Sequence, residues 1–349
     1  MSFVPPRCPA QTCEQHHRPT AGFYVRRGFY FPKCRPEGVP RFCCKSCGRR
    51  FSRQTFRHDY RDKRPHDNAQ VFLQLVSGTG MRQTARLLQM DPRTVQRKQR
   101  KLAATLGPLH DNLSPQLPAG RVWLMDEEET YEGASIRPLT MPVLIDRETW
   151  FVVATSVGSI RRLAPPGTAR RARQDREERK GRRPDQSRRC VREVLQALAT
   201  RVAEGRILLH TDQKSSYATL AREVFGDRLT HVTTAGTRLR DTSNPLFAIN
   251  TTLAMTRDNC GRLRRRSWLV SKRAACLRDH LALFVVYRNY VRRRFNYDRE
   301  DETPAKLLGL LPRQLHRHEV VAWRQDWGDR SIHPMSVDAA QTVRDAMAA

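Results

Sequence analysis

The sequence predicts a multidomain chain in which a small cysteine-rich ribbon is followed by an all-α segment and then by an α/β domain with a helical C-terminal part. Three observations predict it: cysteines cluster near the N-terminus, apolar residues then recur at helical spacing, and strand-like and helix-like segments alternate further on. A chain of 349 residues has room for two or three domains. The predicted boundaries are 1–60, 61–112, 121–297 and a C-terminal tail at 298–349.

The balance of charges predicts a polyanionic partner. The 64 Lys and Arg residues exceed the 35 Asp and Glu residues, which gives a formal net charge of +29 and favours binding to nucleic acid. No run approaches the roughly 18 apolar residues of a membrane span, and the first residues lack the charged and apolar regions of a signal peptide. We therefore expect a cytoplasmic protein without a membrane partner.

The cysteine pattern predicts a structural zinc site, a zinc ribbon or knuckle, within residues 1–60. Six of the nine cysteines precede residue 48, an odd and lopsided set for a disulfide framework. Cys44 and Cys47 form a CxxC turn followed by glycine. Cys8 and Cys13 form a second pair, so four thiolates can complete a tetrahedral Zn²⁺ site. The competing ligands are Cys34, Cys43, His16 and His17, and unligated surface cysteines are the alternative.

A helix-turn-helix is predicted next, in the segment 61–112. Asp91 can cap a helix that begins at Pro92, and Val95 is expected to pack inward. The second helix is dense in long polar side chains that can reach phosphates and guanine edges. The residues expected to contact DNA from its exposed face are Arg93, Thr94, Gln96, Arg97 and Arg100. A solvated helical hairpin is the alternative.

The order of elements in the segment 121–297 is that of an RNase H-like domain. The predicted elements are strands at 121–126, 139–145 and 149–157, a helix at 187–204, a strand at 207–210, a helix at 215–225, a strand at 229–232 and mostly helix from 245 to about 290. The Pro-, Gly- and Arg-rich segment 159–186 is expected to be a mobile basic loop without regular structure.

Two aspartates mark a candidate active site. Asp126 ends the first apolar strand and Asp212 ends a later one, and the two strands are neighbours in an RNase H-like sheet. Carboxylates on adjacent strand ends can share a pair of Mg²⁺ or Mn²⁺ ions, which in-line phosphoryl transfer requires. Glu128 lies on the same strand face as Asp126, whereas Glu127 and Glu129 point the other way. For either aspartate alone, a solvated turn is the alternative.

Several motifs together carry a family resemblance. They are the cysteine knuckle, the helix-turn-helix, Met125-Asp126-Glu127, the stretch from Thr211-Asp212 to Tyr217, a basic helix and the segment Asp301–Leu310. With them, residues 1 to about 312 resemble insertion-sequence transposases of the DDE superfamily. The resemblance implies metal-dependent DNA cleavage and strand transfer, terminal inverted repeats and target DNA as partners, a homodimer or higher oligomer on DNA, and a location at the bacterial nucleoid.

The third metal ligand departs from the family pattern. It is usually a Glu on the helix after the last strand, and here Asn250 occupies that place and offers only a neutral oxygen. Asp258 lies about two helical turns further on and can supply the missing carboxylate if the helix is displaced. The residues for which the resemblance and the neighbouring site imply DNA contacts are His231, Arg262, Arg264, Arg265, Arg266 and Lys272.

These observations leave two main functions. In the first, the chain is a transposase in which Asp126 and Asp212, with Asn250 or Asp258, hold Mg²⁺ or Mn²⁺. In the second, it is a decayed or domesticated transposase that binds DNA without cutting it. The residue at position 250, where Asn stands in place of the usual Glu ligand, is what distinguishes these two functions. A nuclease with a structural zinc, which lacks strand transfer, is a third and differs only in its product.

Overall fold

A computed structural model describes residues 3–31, 38–56, 59, 62, 64–264 and 268–323. The chain divides into two compact units, one formed by Met1–Asn68 with His318–Ala349 and the other by Ala69–Arg317. The larger unit is mixed α/β, as the sequence predicts. Within these described ranges, no helix combines the length and the apolar character needed to cross a membrane.

The smaller unit contains a three-stranded antiparallel sheet with β2 in the centre. Its elements are α1 (Glu14–His17), β1 (Tyr24–Tyr30), β2 (Val39–Cys44) and β3 (Arg50–Ser52). The core is aromatic, since Phe23, Phe42, Phe51 and Phe56 pack together with three cysteines. A core this small buries too little apolar surface to order the segment by itself, which is why such ribbons depend on a metal or a cross-link.

Three helices open the larger unit. They are α2 (Asn68–Leu75), α3 (Met81–Leu87) and α4 (Pro92–Leu113). The start of α4 is as the sequence predicts: the Asp91 side chain accepts a hydrogen bond from the backbone N–H of Arg93 at 2.7 Å, and Pro92 occupies the first helical position. Val95 is fully buried. The helix runs on to Leu113 because its second half presents an apolar face to the interior.

A mixed sheet forms the centre of the larger unit. Its strands are β4 (Val122–Tyr131), β5 (Pro138–Asp146), β6 (Val152–Thr155), β7 (Gly158–Ser159), β8 (Ile207–Asp212) and β9 (Leu229–Thr234). Their order across the sheet is β6-β5-β4-β8-β9, with β7 paired to β5. The first three strands form an antiparallel meander, and β8 and β9 then add in parallel on the other side of β4. This arrangement makes β4 and β8 direct neighbours.

Helices cover both faces of the sheet. The flanking helices are α6 (Ser187–Arg201) and α7 (Ser215–Phe225) on one face, and α8 (Phe247–Asn259) and α9 (Ala274–Val286) on the other. Leu124, Met141 and Val143 of the sheet share one apolar core with Ile249 and Leu253 of α8. A π-helical turn, Tyr287–Val291, follows α9, and two short helices, α10 (Pro304–Leu307) and α11 (Arg317–Ala322), follow later.

The expectation that 159–186 lacks regular structure is wrong. The segment contains a ten-residue helix, α5 (Ala169–Glu178), whose first turn is capped by the Thr168 side chain. Gln174 is buried and accepts a hydrogen bond from the backbone N–H of Ala164 at 2.8 Å. The sequence composition suggested disorder because the segment has few apolar residues, but polar and ionic contacts order it instead.

The predicted helix-turn-helix is part of the same unit as the sheet. Gln99 of α4 donates a hydrogen bond to the backbone oxygen of Cys276 in α9, and His280 of α9 bonds the backbone oxygen of Leu75 in α2 at 2.8 Å. The backbone N–H of Gly78 also donates to the oxygen of Asn259 at 2.8 Å. These helices therefore pack against the C-terminal helices and do not form a separate compact unit at residues 61–112.

Candidate metal and nucleic-acid sites

The sheet brings the two predicted aspartates together. The parallel strands β4 and β8 are in register as far as Leu124 and His210. Asp126 and Asp212 each lie two residues beyond that pair, so both side chains project from the same level and the same face of the sheet. The juxtaposition depends on the order of strands, because 86 residues separate the two aspartates along the chain.

Burial makes the Asp126 carboxyl harder to ionise than an ordinary aspartate. Burial raises the pKa of its carboxyl to about 6 against the hydrogen bond from the backbone N–H of Glu127, and the charge of Asp212 adds to the rise while that of Arg240 opposes it. A carboxylate that is costly to ionise in an empty site gains most from a bound cation. The electrostatics of Asp126 therefore fit a cation site.

A polar cleft opens beside Asp126. Its lining consists of Asp126, Glu127, Glu128, Glu129, Arg240, Asn250, Leu253 and Arg257. Glu128 lies on the same strand face as Asp126, is almost fully buried and forms an ion pair with Arg257 of α8. Arg240 comes from the loop between β9 and α8. The cleft is thus lined by four carboxylates and two arginines, a combination suited to a cation and a phosphate together.

Helix α8 places Asn250 in the lining of this cleft and Asp258 in the lining of a different one. Residues 250, 253 and 257 lie on one side of the helix and all line the cleft. Asp258 is exposed and lines a different cleft with Asn259 and Arg292. Eight residues turn a helix by about 80° beyond two full turns, so Arg257, not Asp258, follows Asn250 on this face. The structure does not bring Asp258 to Asp126.

Glu127 lines the same cleft and is the centre of a hydrogen-bonding network. Its carboxylate accepts hydrogen bonds from the Tyr217 hydroxyl at 2.9 Å and the Thr140 hydroxyl at 2.9 Å, and it forms an ion pair with Lys214. Lys214 in turn donates its backbone N–H to Asp212 Oδ1 at 3.0 Å. Burial, and then the charge of Glu127, raise the pKa of Tyr217, so its hydroxyl stays a donor. This network ties β4 to the loop that follows Asp212.

We expect Asp126→Asn to stabilise the protein at neutral pH in magnesium-free buffer. The raised pKa means that Asp126 favours folding below about pH 4, where both states are protonated, and that this contribution is lost as the pH rises through 6. Urea unfolding should therefore show Asp126→Asn more stable than native by about 1–3 kcal/mol at pH 7.5 and nearly equal at pH 4. Asp258→Asn, at an exposed site, is the control. A constant difference at both pH values would contradict the prediction.

The ribbon brings four cysteines to one point. The Sγ atoms of Cys8, Cys13, Cys44 and Cys47 all lie within 4.8 Å of one another. Two of their separations are 3.5 Å, between Cys8 and Cys47, and 3.8 Å, between Cys13 and Cys44. Zinc bound tetrahedrally at about 2.3 Å from each sulfur would set them about 3.8 Å apart. The group could therefore bind zinc.

Local structure explains why these four thiols converge. Gly48 adopts a φ of +67°, which lets the chain turn sharply after Cys47, and its backbone N–H donates to the oxygen of Cys44 at 3.0 Å. Burial raises the pKa of Cys8 to about 12. For Cys44, burial is outweighed by backbone N–H groups of Cys47 and Ser46, and the pKa falls to about 7. Such crowding of thiols is relieved when a cation binds their thiolates.

The competing ligands are engaged elsewhere. His16 bonds the backbone oxygen of Cys8 at 2.7 Å, His17 bonds that of Gln11 at 2.8 Å, and the Cys43 thiol donates to the oxygen of Gly48 at 3.3 Å. Cys34 lies outside the described residues. The four-cysteine group is also the only one, within the described ranges, in which three or more Cys, His, Asp or Glu side chains come so close. Among those residues, Asp126 and Asp212 do not form a group with a third carboxylate in which all the ligand atoms lie within 4.8 Å of one another.

Helix α4 exposes three of the five predicted DNA contacts. Arg93, Arg97 and Arg100 are exposed, and Thr94 is half-buried. The placement of Gln96 on the exposed face is corrected, because Gln96 is half-buried and donates to the Cys276 thiol at 3.6 Å. Helix α9 covers that side of α4, a contact that no local pattern in α4 could reveal.

The residues predicted to contact DNA nearer the C-terminus also divide into exposed residues and residues with partners inside the protein. Arg264 and Lys272 are exposed, whereas Arg262 donates to Gln99 Oε1 at 3.1 Å and to the sulfur of Met81 and is largely withdrawn from solvent. His231 lies on β9, where it bonds the Thr211 hydroxyl at 2.9 Å and burial lowers its pKa. Arg262 and His231 therefore have internal roles. Arg265 and Arg266 lie outside the described residues.

No family model matches the chain, and no curated protein matches it either. Sequence reasoning missed Arg240 and Arg257 as cleft residues and Glu127 as the centre of a network. The spacing of seven residues between Asn250 and Arg257 was a signal for Arg257, because residues seven apart share a helix face. Arg240 had no such signal, since it comes from an irregular loop.

Proposed function

We propose that the chain is a metal-dependent DNA transposase with an RNase H-like catalytic domain. The observation that carries the proposal is the placement of Asp126 and Asp212 at the same level of neighbouring parallel strands, close enough for the charge of Asp212 to raise the pKa of Asp126. A meander of three antiparallel strands followed by two parallel strands, covered by helices on both faces, is the arrangement expected of that domain. Hard oxygen ligands of this kind select Mg²⁺ or Mn²⁺.

The residues of the cleft have distinct proposed roles. Asp126 and Asp212 hold the ions, with the Asn250 side-chain oxygen as the third donor on α8. When bound, Mg²⁺ or Mn²⁺ supplies charge stabilisation for in-line displacement at phosphorus. Arg257 and Arg240 face the same cleft and can bind the phosphate. If Arg257 binds the phosphate in place of Glu128, the Glu128 carboxylate becomes available as a further ligand on the strand face of Asp126.

DNA binding is the second part of the proposal. Arg93, Arg97 and Arg100 project from the first turns of α4, and Arg264 and Lys272 are exposed after α8. These long cations suit phosphate contacts, and the capped N-terminal turns of α4 suit the major groove of terminal inverted repeats. A zinc-stabilised ribbon adds to recognition of these ends. Joining two ends to target DNA calls for a dimer or a higher oligomer, and a nucleoid-associated, cytoplasmic location follows.

A non-catalytic DNA-binding protein is the second candidate, and one observation favours it. The third donor facing the cleft from α8 is a neutral amide, and the neighbouring carboxylate of Glu128 is already paired with Arg257. A metal held mainly by two carboxylates binds more weakly than one held by three. A decayed transposase would retain the DNA-binding residues and lose cleavage.

Restoring the carboxylate at position 250 tests both candidates. Native protein, Asn250→Glu and Asn250→Ala are incubated with Mn²⁺ and labelled duplexes carrying the element ends that flank the gene, and binding and nicking are both measured. We expect native protein to nick the ends and Asn250→Glu to nick about tenfold faster or more, since about 1.4 kcal/mol of added stabilisation is a factor of ten. Nicking by Asn250→Glu alone would establish the second candidate. Binding without nicking by both would refute the enzyme.

A further inference from the structure

The basic insertion at residues 160–186 is held against the strand that carries Asp126. Arg162 forms an ion pair with Glu129, and Arg183 pairs with Glu132 at 3.0 Å. Both glutamates belong to β4 or the residue after it. Glu129 follows Asp126 by three residues, so this anchor lies about 10 Å along the strand from the candidate metal site.

The acidic side chains of the insertion are all used to hold it in place. It contains ten basic and four acidic residues. Glu177 pairs with Arg137 at 2.7 Å, Glu178 with Arg161 at 3.0 Å, and Asp175 with Arg171 at 2.9 Å. Asp185 accepts hydrogen bonds from the backbone N–H groups of Arg161 and Ser187. With ten basic and four acidic residues, the insertion therefore carries a formal excess of six positive charges.

Besides Arg170, which donates to the backbone oxygen of Ser135 at 2.8 Å, five exposed cations remain on this surface, which we name the insertion surface. They are Arg173, Arg176, Arg179, Lys180 and Arg182. None of them forms an ion pair within the part of the chain that the structure describes. Arg173, Arg176 and Lys180 are spaced three and four residues apart, so they form one stripe along α5 and its end, away from buried Gln174.

We propose that the insertion surface binds the phosphate backbone of duplex DNA beside the cleft, and that this duplex is the target into which an end is joined. A solvated charged face ordinarily balances the two signs, whereas this one has a cationic excess and is held to β4 by the ion pairs of Arg162 and Arg183. Duplex DNA carries one negative charge per about 1.7 Å of its axis. A duplex that reaches the cleft therefore presents about six phosphate charges over the roughly 10 Å between Asp126 and the Arg162–Glu129 ion pair. Contacts of this kind position DNA without reading sequence. The assignment to target DNA rests on the proposed function, but the binding itself does not.

The test compares two triple variants of the full chain. The first, Arg173→Gln/Arg176→Gln/Lys180→Gln, neutralises the stripe. The second, Arg206→Gln/Arg222→Gln/Arg299→Gln, removes the same charge from exposed positions outside the insertion and the cleft. Binding to a labelled duplex of arbitrary sequence is measured from about 0.05 to about 0.5 M NaCl, which extends about threefold below and above physiological salt. Circular dichroism verifies that both variants are folded.

We expect the stripe variant to lose about 0.9 from the slope of log K against log salt for each contact removed, and roughly tenfold in affinity per contact at 0.1 M salt. The control variant should lose far less of either. Charge reversal of the same three residues to Glu should weaken binding further. Equal slopes and affinities for the stripe and control variants would overturn the proposal.

Cleavage is scored separately so that the two proposals can fail separately. If the stripe variant binds arbitrary duplex weakly but still nicks element ends and fails only in joining them to a second duplex, the insertion surface contacts target DNA. If it loses end nicking and joining equally, the target assignment is overturned. If no protein nicks, the proposed enzyme fails, and the salt slopes still decide whether the insertion binds DNA.

Discussion

Asp126→Asn and Asp212→Asn are each expected to lower the rate of DNA cleavage by about a thousandfold while leaving DNA binding intact. Asp126 and Asp212 lie at the same level of neighbouring strands, and under the proposed function they hold the same ions, so either change removes a charged ligand. Charge stabilisation by such ions is worth several kcal/mol, and about 4 kcal/mol converts to about three powers of ten in rate. End-labelled duplexes and Mg²⁺ or Mn²⁺ provide the measurement.

The matched control is Asp258→Asn. This residue lies on the same helix as Asn250 but is exposed and lines a different cleft. Its replacement removes the same charge and should change the cleavage rate less than twofold, about 0.4 kcal/mol. A dead Asp258→Asn protein beside an active Asp126→Asn protein would show that α8 is displaced in the working complex and that the cleft assigned here is not the reacting one.

Cys44→Ser is expected to abolish zinc binding and to unfold the ribbon while leaving the larger unit folded. The four thiols converge within 4.8 Å, and the aromatic core around them is small. A structural zinc contributes about 10–16 kcal/mol in peptides of this size, far more than such a core can replace. Zinc content by atomic emission and hydrogen exchange over residues 3–56 provide the measurement.

The neighbouring cysteine supplies a matched control. Cys43→Ser changes an adjacent thiol that bonds the oxygen of Gly48 and lies outside the four-cysteine group. It should keep one zinc per chain and native protection from exchange. Retention of zinc and of protection by Cys44→Ser, or their loss in Cys43→Ser, would contradict the assignment of ligands.

Much of the candidate metal chemistry could be predicted from local patterns. A CxxC turn followed by glycine predicts a sharp turn, and Gly48 has the positive φ that only such a residue adopts easily. The Asp91-Pro92 start of α4 was predictable because a cap depends on adjacent residues alone. Both features depend on interactions within a few residues, and these are the interactions that a sequence displays.

Other features depend on packing between distant segments. Gln96 and Arg262 carry the same polar character as exposed neighbours, and only the packing of α4 against α9 withdraws them from solvent. The helix α5 was missed because ion pairs with Arg137 and Arg161, rather than apolar residues, order it. A composition that predicts disorder does not show which opposite charges will meet.

The sequence by itself indicated the kinds of site in this protein: thiols paired for a metal, carboxylates that follow apolar strand residues, and an excess of cations for a polyanion, although β4 continues to Tyr131 and does not end at Asp126 as predicted. The tertiary structure alone decided that Asn250 and Arg257, not Asp258, face Asp126, and that Glu128 is paired with Arg257. The physical reason is distance along the chain. Residue types and short-range periodicity can be recognised from neighbouring residues. The register of β4 with β8 and the rotation of α8 depend instead on the burial of apolar faces contributed by segments more than 80 residues apart.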